Sequence, residues 1–280
     1  MAINVTALYR YPIKSCRGMS LDEALIGLRG ITLDREFVIV DERGLFVSQR
    51  SGKRGNIGVR SMCLVVPELR GDEMVIRAPG MPDMQFCLYE PYGEFLQVRV
   101  WDTVCEAQEA DPRVSEWFTE YICREHAGRY RFVQMLGDFQ RRASTGNSEL
   151  TFADGFPFLI TSHESLDELN RRMGEPHISM DRFRPNIVIS GCQIPHAEDT
   201  MDRIKIGGVE FAGQTLCDRC PMPGIDQTTA SKDGRPLVAL AGYRRMKTGS
   251  DKVQFGRNFN HLNLGRIRVG DKVEVLAWSA

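Results

Sequence analysis

The chain reads as a mainly β protein with some α-helix, in two parts: an N-terminal β-barrel-like domain over residues 1–125 and a second β-barrel domain with packed helices over 126–280. Three observations predict this. Short runs of period-two alternation fill the N-terminal third, helical spacing replaces them after Asp111-Pro112, and alternation returns in the second half around one further clear helix. A chain of 280 residues also sits at the size where one hydrophobic core usually divides in two.

In the first part Ile3, Val5, Ala7 and Tyr9 alternate as a strand, as do Phe37 to Val40, Val75 with Ile76, and Leu96, Val98 and Val100. Turns at Glu42-Arg43-Gly44 and Arg70-Gly71-Asp72 separate some of them. Strands this short suggest a small barrel or sandwich, where closure protects edges that would otherwise pair with other chains. Asp111 is a good N-cap and Pro112 suits the first helical position, so a helix begins there. Val114, Trp117, Phe118, Tyr121 and Ile122 give it an apolar stripe that runs to about Arg124, and the polar stretch Glu125 to Arg129 marks the boundary.

The second part opens with an irregular charged segment, Gly137 to Leu150, followed by the apolar run Phe152 to Thr161. Thr161-Ser162-His163-Glu164 resembles a capping box, and Leu166, Leu169 and Met173 stripe a helix that stops at Gly174. Ile187 to Ile189 reads as a buried strand. Two hairpins are expected later, Ile204 to Phe211 turning at Gly207-Gly208 and Ile267 to Val275 turning at Gly270-Asp271.

Composition narrows the function. Lys plus Arg number 36 against 37 Asp plus Glu, so no overall charge draws the molecule to nucleic acid or an anionic membrane, and any anion must be bound locally. Apolar runs fall far short of the roughly 20 residues a membrane span needs. Met1 to Tyr9 lacks the features of a signal peptide, which makes a cytoplasmic protein the expectation. Eight scattered cysteines look like reduced core thiols rather than a disulfide framework. The five histidines show no metal-ligand spacing, and no phosphate-binding glycine loop or dinucleotide fingerprint is present.

The densest chemical signal is Cys217-Asp218-Arg219-Cys220-Pro221, read as a loop after the second strand of the Gly207-Gly208 hairpin. A thiolate is both nucleophile and metal ligand, and the adjacent Arg219 favours it over the thiol. Structural zinc would need a second close cysteine pair, and a thioredoxin-like dithiol would need a βαβ setting; neither is present. Two buried structural thiols remain the plain alternative. A second signal is the basic loop Arg10-Tyr11-Pro12-Ile13-Lys14-Ser15, where a lysine and a hydroxyl can meet a phosphate unless the loop is merely solvated. Third, Arg184 precedes the buried run Ile187 to Ile189, and Asp34-Arg35 precedes Phe37 to Val40 in the same way. An arginine beside a core strand needs a carboxylate or an anionic ligand as partner.

Six stretches in order resemble the MOSC family, the molybdenum cofactor sulfurase C-terminal domain proteins, in the subgroup with an N-terminal β-barrel domain. They are Tyr11-Pro12-Ile13-Lys14-Ser15, Leu33-Asp34-Arg35, Phe152 to Pro157, Phe183-Arg184-Pro185-Asn186-Ile187, Cys217-Asp218-Arg219-Cys220 and Phe255-Gly256-Arg257-Asn258. The resemblance covers essentially the whole chain. It implies that Cys220 is the protein ligand to molybdenum, otherwise held by the dithiolene of a pterin, soft sulfur ligands that suit the metal. It also implies that Lys14, Ser15, Arg35 and Arg184 hold the pterin and its phosphate, aided by Asp218, Arg219 and the loop Asp154-Gly155-Phe156, with Asn258 closing the site. Relatives carry threonines where this chain has Pro223-Gly224.

The activity so implied is reduction of N-hydroxylated compounds such as hydroxylamines, amidoximes and N-hydroxylated base analogues, with Asp154 or a metal-bound water as candidate proton source. Without a Cys-x4-Cys-x2-Cys run before Ala280, electrons are expected from a separate flavin or iron-sulfur protein. A carrier of molybdenum cofactor or persulfide sulfur, without turnover of a small substrate, is the alternative.

Overall fold

The structure is a computed structural model that describes residues 2–52, 55–89, 93–246 and 252–279. The alternating N-terminal run forms the strand Asn4–Arg10, which pairs with Ile187–Ser190 from far along the chain as well as with its neighbour Met19–Leu21. Those strands belong to an eight-stranded sheet whose other members are Phe158–Ser162, Val253–His261, Val209–Arg219, Met201–Ile206 and Val273–Trp278. Glu23–Gly27 lies against it, paired with Gly265–Arg268. Val5, Leu8, Ala24 and Ile26 therefore share a core with Phe158, Ile187, Phe211 and Phe259.

The exchange runs both ways. Phe37–Asp41 pairs with Tyr130–Met135, which continues through Thr103–Glu109 to Phe95–Val100. A three-stranded sheet, Val66–Arg70, Glu73–Arg77 and Met84–Cys87, packs nearby. Rings fill the space between: Phe37 stacks on Phe132 at 5.1 Å, and Phe86 meets Phe132 edge-on at 5.2 Å. Such pairs add about 0.5–1.5 kcal/mol each beyond the area they bury. The chain thus crosses between the two sheets twice, at 32–36 and at 136–157.

Helix α1, Pro112–Ile122, starts where Asp111 accepts a hydrogen bond from the Arg113 amide, and it buries the expected stripe of Val114, Trp117, Phe118, Tyr121 and Ile122. Helix α2, His163–Met173, ends at Gly174 with φ 70°, but its cap departs from the capping box. Ser162 is the N-cap, and the buried Glu198 accepts from its amide and hydroxyl, while Glu164 accepts from Gly191 N. Glu198 is distant in sequence, so a local motif could not reveal it. Helix α3, Arg235–Tyr243, was not expected, because it has no side-chain cap and carries Gly242. The hairpin at Gly207-Gly208 forms, with Ile206 opposite Val209. The one at Gly270-Asp271 does not: Gly265–Arg268 pairs with Glu23–Gly27 and Val273–Trp278 with Met201–Ile206, so the turn sends its two strands to different sheets.

Among the described residues no helix is long and apolar enough to cross a membrane. All eight cysteines are free thiols.

Candidate functional site

The two crossings and the ends of several strands meet at one cleft, a cavity of about 140 Å³. Lys14 and Ser15 enter from the first loop and Arg35 from the first crossing. Asp154, Gly155 and Phe156 come from the second crossing and Arg184 from the turn before Ile187–Ser190. Asp218, Arg219, Cys220 and Asn258 complete the wall. Every candidate residue therefore faces a single depression, although the sequence scatters them over most of its length.

The backbone is bent to present them. Ser15, Arg35, Trp101 and Arg184, all lining the cleft, have φ of 72°, 53°, 56° and 56°, in the left-handed region that costs a non-glycine residue roughly 1–3 kcal/mol. Such conformations persist where surrounding contacts over-determine them. Tyr11 supplies many of those contacts. Its amide donates to Asp34 Oδ1 at 2.8 Å, its carbonyl accepts from Arg35 N at 2.7 Å, and its buried hydroxyl donates to Pro185 O at 3.0 Å. A Cβ on Gly18 would lie 2.4 Å from the Tyr11 ring, so glycine is required there for the ring to seat.

Both guanidinium groups lie over that ring, Arg35 at 4.6 Å and Arg184 at 4.2 Å. Their charges are treated differently. Arg35 is bonded to the buried Asp34 carboxylate and donates to Asn186 Oδ1 at 3.0 Å. Arg184 donates only to the Cys16 carbonyl, at 2.7 Å, and no carboxylate lies within ion-pair distance of it among the described residues. Burial pulls its pKa down, Tyr11 opposes that, and the like charge of Arg35 adds to it. Of the two partners expected for this arginine, a carboxylate or an anionic ligand, the described residues do not supply the first.

Lys14 is the reverse case. Its ammonium donates to Phe152 O at 2.8 Å and is bonded to the Asp154 carboxylate, which also accepts from Trp101 Nε1 at 2.9 Å. Buried Arg141 holds the loop by donating to Thr151 O at 2.9 Å, Asp154 O at 2.9 Å and Ala153 O. Burial alone would raise the Asp154 carboxyl, but the charge and hydrogen bond of Lys14, with Trp101 and Arg35, hold it well below the usual carboxylate range. This makes Asp154 the anionic partner that fixes Lys14.

Asp154→Asn is expected to destabilise the protein by about 1–3 kcal/mol, less than breaking a fully buried pair because the carboxylate opens on the cleft. A depressed folded pKa gives stability that is present above the ordinary carboxyl value near 4 and lost as pH falls through the folded one. The variant should therefore lose stability at neutral pH yet show a flatter acid limb, read by urea unfolding at several pH values.

The Cys217-Asp218-Arg219 stretch is not a loop: it ends the strand Val209–Arg219, with Asp218 opposite Gln254 and Arg219 opposite Val253. Cys220 is the first residue beyond it. Arg219 donates to Cys217 Sγ at 3.0 Å and to Phe183 O at 2.8 Å, and its buried Nε has no hydrogen-bond partner among the described residues. Cys217 is half-buried and lines the cleft as Cys220 does, and burial pushes its thiol up despite Arg219. Asp218 accepts from Lys252 at 2.9 Å and Gln254 at 3.2 Å, and Asn258 reaches Thr215 at 3.4 Å. The segment after Cys220 is tied back by Arg182 to Asp226, 2.7 Å, and by a buried amide pair, Gln227 and Gln49, at 3.0 and 3.1 Å.

No group of three or more His, Cys, Asp or Glu side chains suited to a metal ion occurs among the described residues. A metal in this cleft must bring ligands of its own. The site also contains residues that pattern reading missed. Tyr11, Asn186 and Arg141 organise the cations, and Phe46 and Trp101 form an aromatic side of the cleft, in edge-to-face contact at 4.9 Å. Tyr11 and Asn186 carried a signal, in Tyr-Pro-Ile-Lys and Arg-Pro-Asn.

Residues 2–125 match the family model for the MOSC N-terminal beta barrel domain, and residues 147–274 that for the MOSC domain. Mitochondrial amidoxime reducing component 2 of Bos taurus is 31% identical over 96% of this chain and 82% of its own. The human mitochondrial amidoxime-reducing component 1 is 30% identical over 97% and 82%. The molybdenum cofactor sulfurase of Oryza sativa subsp. japonica is 30% identical over 92% of this chain but only 32% of its own. With both domains matched in order and these relatives aligning over nearly all of this chain, the chain belongs to the family of MOSC-domain proteins that carry the N-terminal MOSC barrel.

Proposed function

We propose that this cleft holds a molybdenum–pterin cofactor through Cys220 and reduces N-hydroxylated compounds. The observation that carries the reading is the buried guanidinium of Arg184, without a carboxylate, in the same cleft as an accessible cysteine that begins a loop. An anionic group bearing its own sulfur ligands answers both needs. The residues fit such a group: Cys220 offers one thiolate, the partnerless Nε of Arg219 offers a donor, and Lys14, Ser15 and Arg35 add charge and a hydroxyl. The relatives named for amidoxime reduction support the same chemistry.

When bound, molybdenum supplies a Lewis acid and a two-electron store. The chain's own residues bind and orient. Arg184, Arg35 and Lys14 neutralise anionic oxygens in a site where burial strengthens each interaction, and Tyr11 keeps the two guanidinium planes at fixed height. The net reaction consumes two electrons and two protons, breaks the N–O bond and yields the amine and water. A separate flavin or iron-sulfur protein supplies the electrons. The rice sulfurase relative favours a second reading, a carrier of cofactor or sulfur.

Protein made in a host with intact cofactor synthesis is expected to hold stoichiometric molybdenum and to reduce benzamidoxime or 6-hydroxylaminopurine with an artificial electron donor. Bound molybdenum with no reduction of either compound would favour the cofactor carrier, and sulfane sulfur without molybdenum the persulfide carrier.

A further inference from the structure

His196 stands outside the cleft and takes no part in the chemistry proposed for it. It opens the short turn Ala197–Thr200 with φ 62°, in the left-handed region, and its amide donates to the buried Ser165 hydroxyl of α2 at 2.8 Å. The ring lies 5.7 Å from that of Tyr243, at the end of α3, and meets Phe255 edge-on at 5.9 Å. Both ring nitrogens are buried without a hydrogen-bond partner among the described residues, and so is the Tyr243 hydroxyl. An imidazolium carries two N–H donors, and neither would find an acceptor here.

The charged groups around the ring do not welcome a proton either. On α2, Glu168 is already bonded to Arg171 and Arg172, and Arg172 lies 4.0 Å over the Tyr243 ring. After α3, Arg244 is paired with Asp199 at 2.5 Å. In the histidine's own segment, Glu198 accepts from the Ser162 and Ser165 hydroxyls, and from the neighbouring strand Arg257 donates to Asp199 O at 2.7 Å. Burial, then Arg244, with Arg172 adding and Glu168 opposing, pulls the histidine's pKa down to about 4. Phe255 links this region to the cleft. It stacks on Phe183 at 3.9 Å, and Phe183 lines the cleft, accepts from Arg219 through its carbonyl at 2.8 Å and precedes Arg184.

We infer that His196 is an acid-operated latch behind the cleft. A second proton on the imidazole drives the ring away from Tyr243 and Phe255 toward solvent, and the Phe255–Phe183 stack that backs Arg184 and Arg219 loosens. Acid thereby weakens the hold on an anion in the cleft, and for the molybdenum cofactor that last step rests on the function proposed above. A histidine depressed in the folded state favours the packed state fully above its ordinary 6.5 and loses that preference as pH falls toward about 4.

The test compares backbone hydrogen exchange of the full chain with that of His196→Phe, which keeps a ring and cannot be protonated, at about pH 7 and about pH 5. After division by the intrinsic rate at each pH, the opening constant over residues 180–190 and 253–259 is expected to rise roughly twentyfold in acid for the unaltered protein, the ratio for titration at 6.5 when open and about 4 when packed. In His196→Phe it is expected to change by less than about twofold. The variant isolates the histidine from Glu198 and Asp199, whose pKa values burial raises. An equal acid response in the two proteins overturns the inference. Should phenylalanine itself loosen the packing at neutral pH, the imidazole is followed by NMR in the unaltered protein, and titration near 6.5, or without a matching change at Phe255 and Phe183, overturns it equally. Molybdenum is expected to leave the unaltered protein about tenfold faster than His196→Phe during dialysis in acid, and equal loss overturns the link to the cleft. A latch that opens in acid in a protein holding no molybdenum counts against the cofactor and leaves the latch standing.

Discussion

Cys220→Ser is expected to strip molybdenum from the purified protein and to lower reduction of N-hydroxylated substrates at least about a hundredfold, since even outer-shell partners of metal ligands carry 10–100-fold. The reasoning starts from what the sulfur does in the fold, which is little. Cys220 is half-buried, follows the last residue of its strand and lines the cleft. Its replacement by a smaller hydroxyl should change the stability of cofactor-free protein by no more than about 0.5 kcal/mol, a shift of 1–2 °C in the thermal midpoint. The comparison must use cofactor-free protein on both sides, because a bound ligand raises apparent stability by mass action. Cys217→Ser supplies the contrast. Cys217 lines the same cleft and is half-buried too, but its thiol is pushed up and held by Arg219 at 3.0 Å, so that change should act on stability and leave the metal in place. Elemental analysis and thermal scans of the two variants separate a ligand from a structural thiol. Molybdenum retained in full by Cys220→Ser would end the proposal.

Much of the fold was legible because its signals are local. Alternation marked Asn4–Arg10, a short apolar run marked Phe37–Asp41, and an Asp-Pro pair marked the start of α1, down to the hydrogen bond from Arg113 N to Asp111. What alternation cannot say is which sheet a strand joins. Asn4–Arg10 and Phe37–Asp41 both read as strands of the first part, yet they lie in different sheets, and the turn at Gly270-Asp271 separates strands that a hairpin would have paired. The cap of α2 failed for the same reason, since Glu198 reaches it from another element. The candidate site was legible only as separate basic loops and one cysteine pair. Convergence of Lys14, Arg35 and Arg184 depends on the two crossings of the chain between sheets, a property of topology that no spacing records. The residues that hold them, Tyr11 above all, look like ordinary core until their polar atoms are traced.

Arg184→Met separates a ligand-binding arginine from a structural one, because its two readouts should move in opposite directions. The guanidinium is buried with one carbonyl partner, Cys16 O at 2.7 Å, and a like charge on the same tyrosine ring. Taking an unpaired cation out of water costs several kcal/mol, and a neighbouring cation adds to that. Against it stand one charge-assisted hydrogen bond, about 1.5–3 kcal/mol, and a cation–π contact of about 0.5–2. Methionine fills similar space with a flexible apolar chain, and at φ 56° it meets the same backbone penalty as arginine. The balance favours methionine by about 1 kcal/mol, so the cofactor-free variant should melt roughly 2–4 °C higher. Cofactor content should fall about 10–100-fold, the worth of the lost charge-assisted contact to an anionic oxygen. A structural arginine predicts the reverse on both counts: a loss of 2 kcal/mol or more with molybdenum retained. That outcome would mean the cation is satisfied by the protein alone, and the case for an anion in the cleft would go with it.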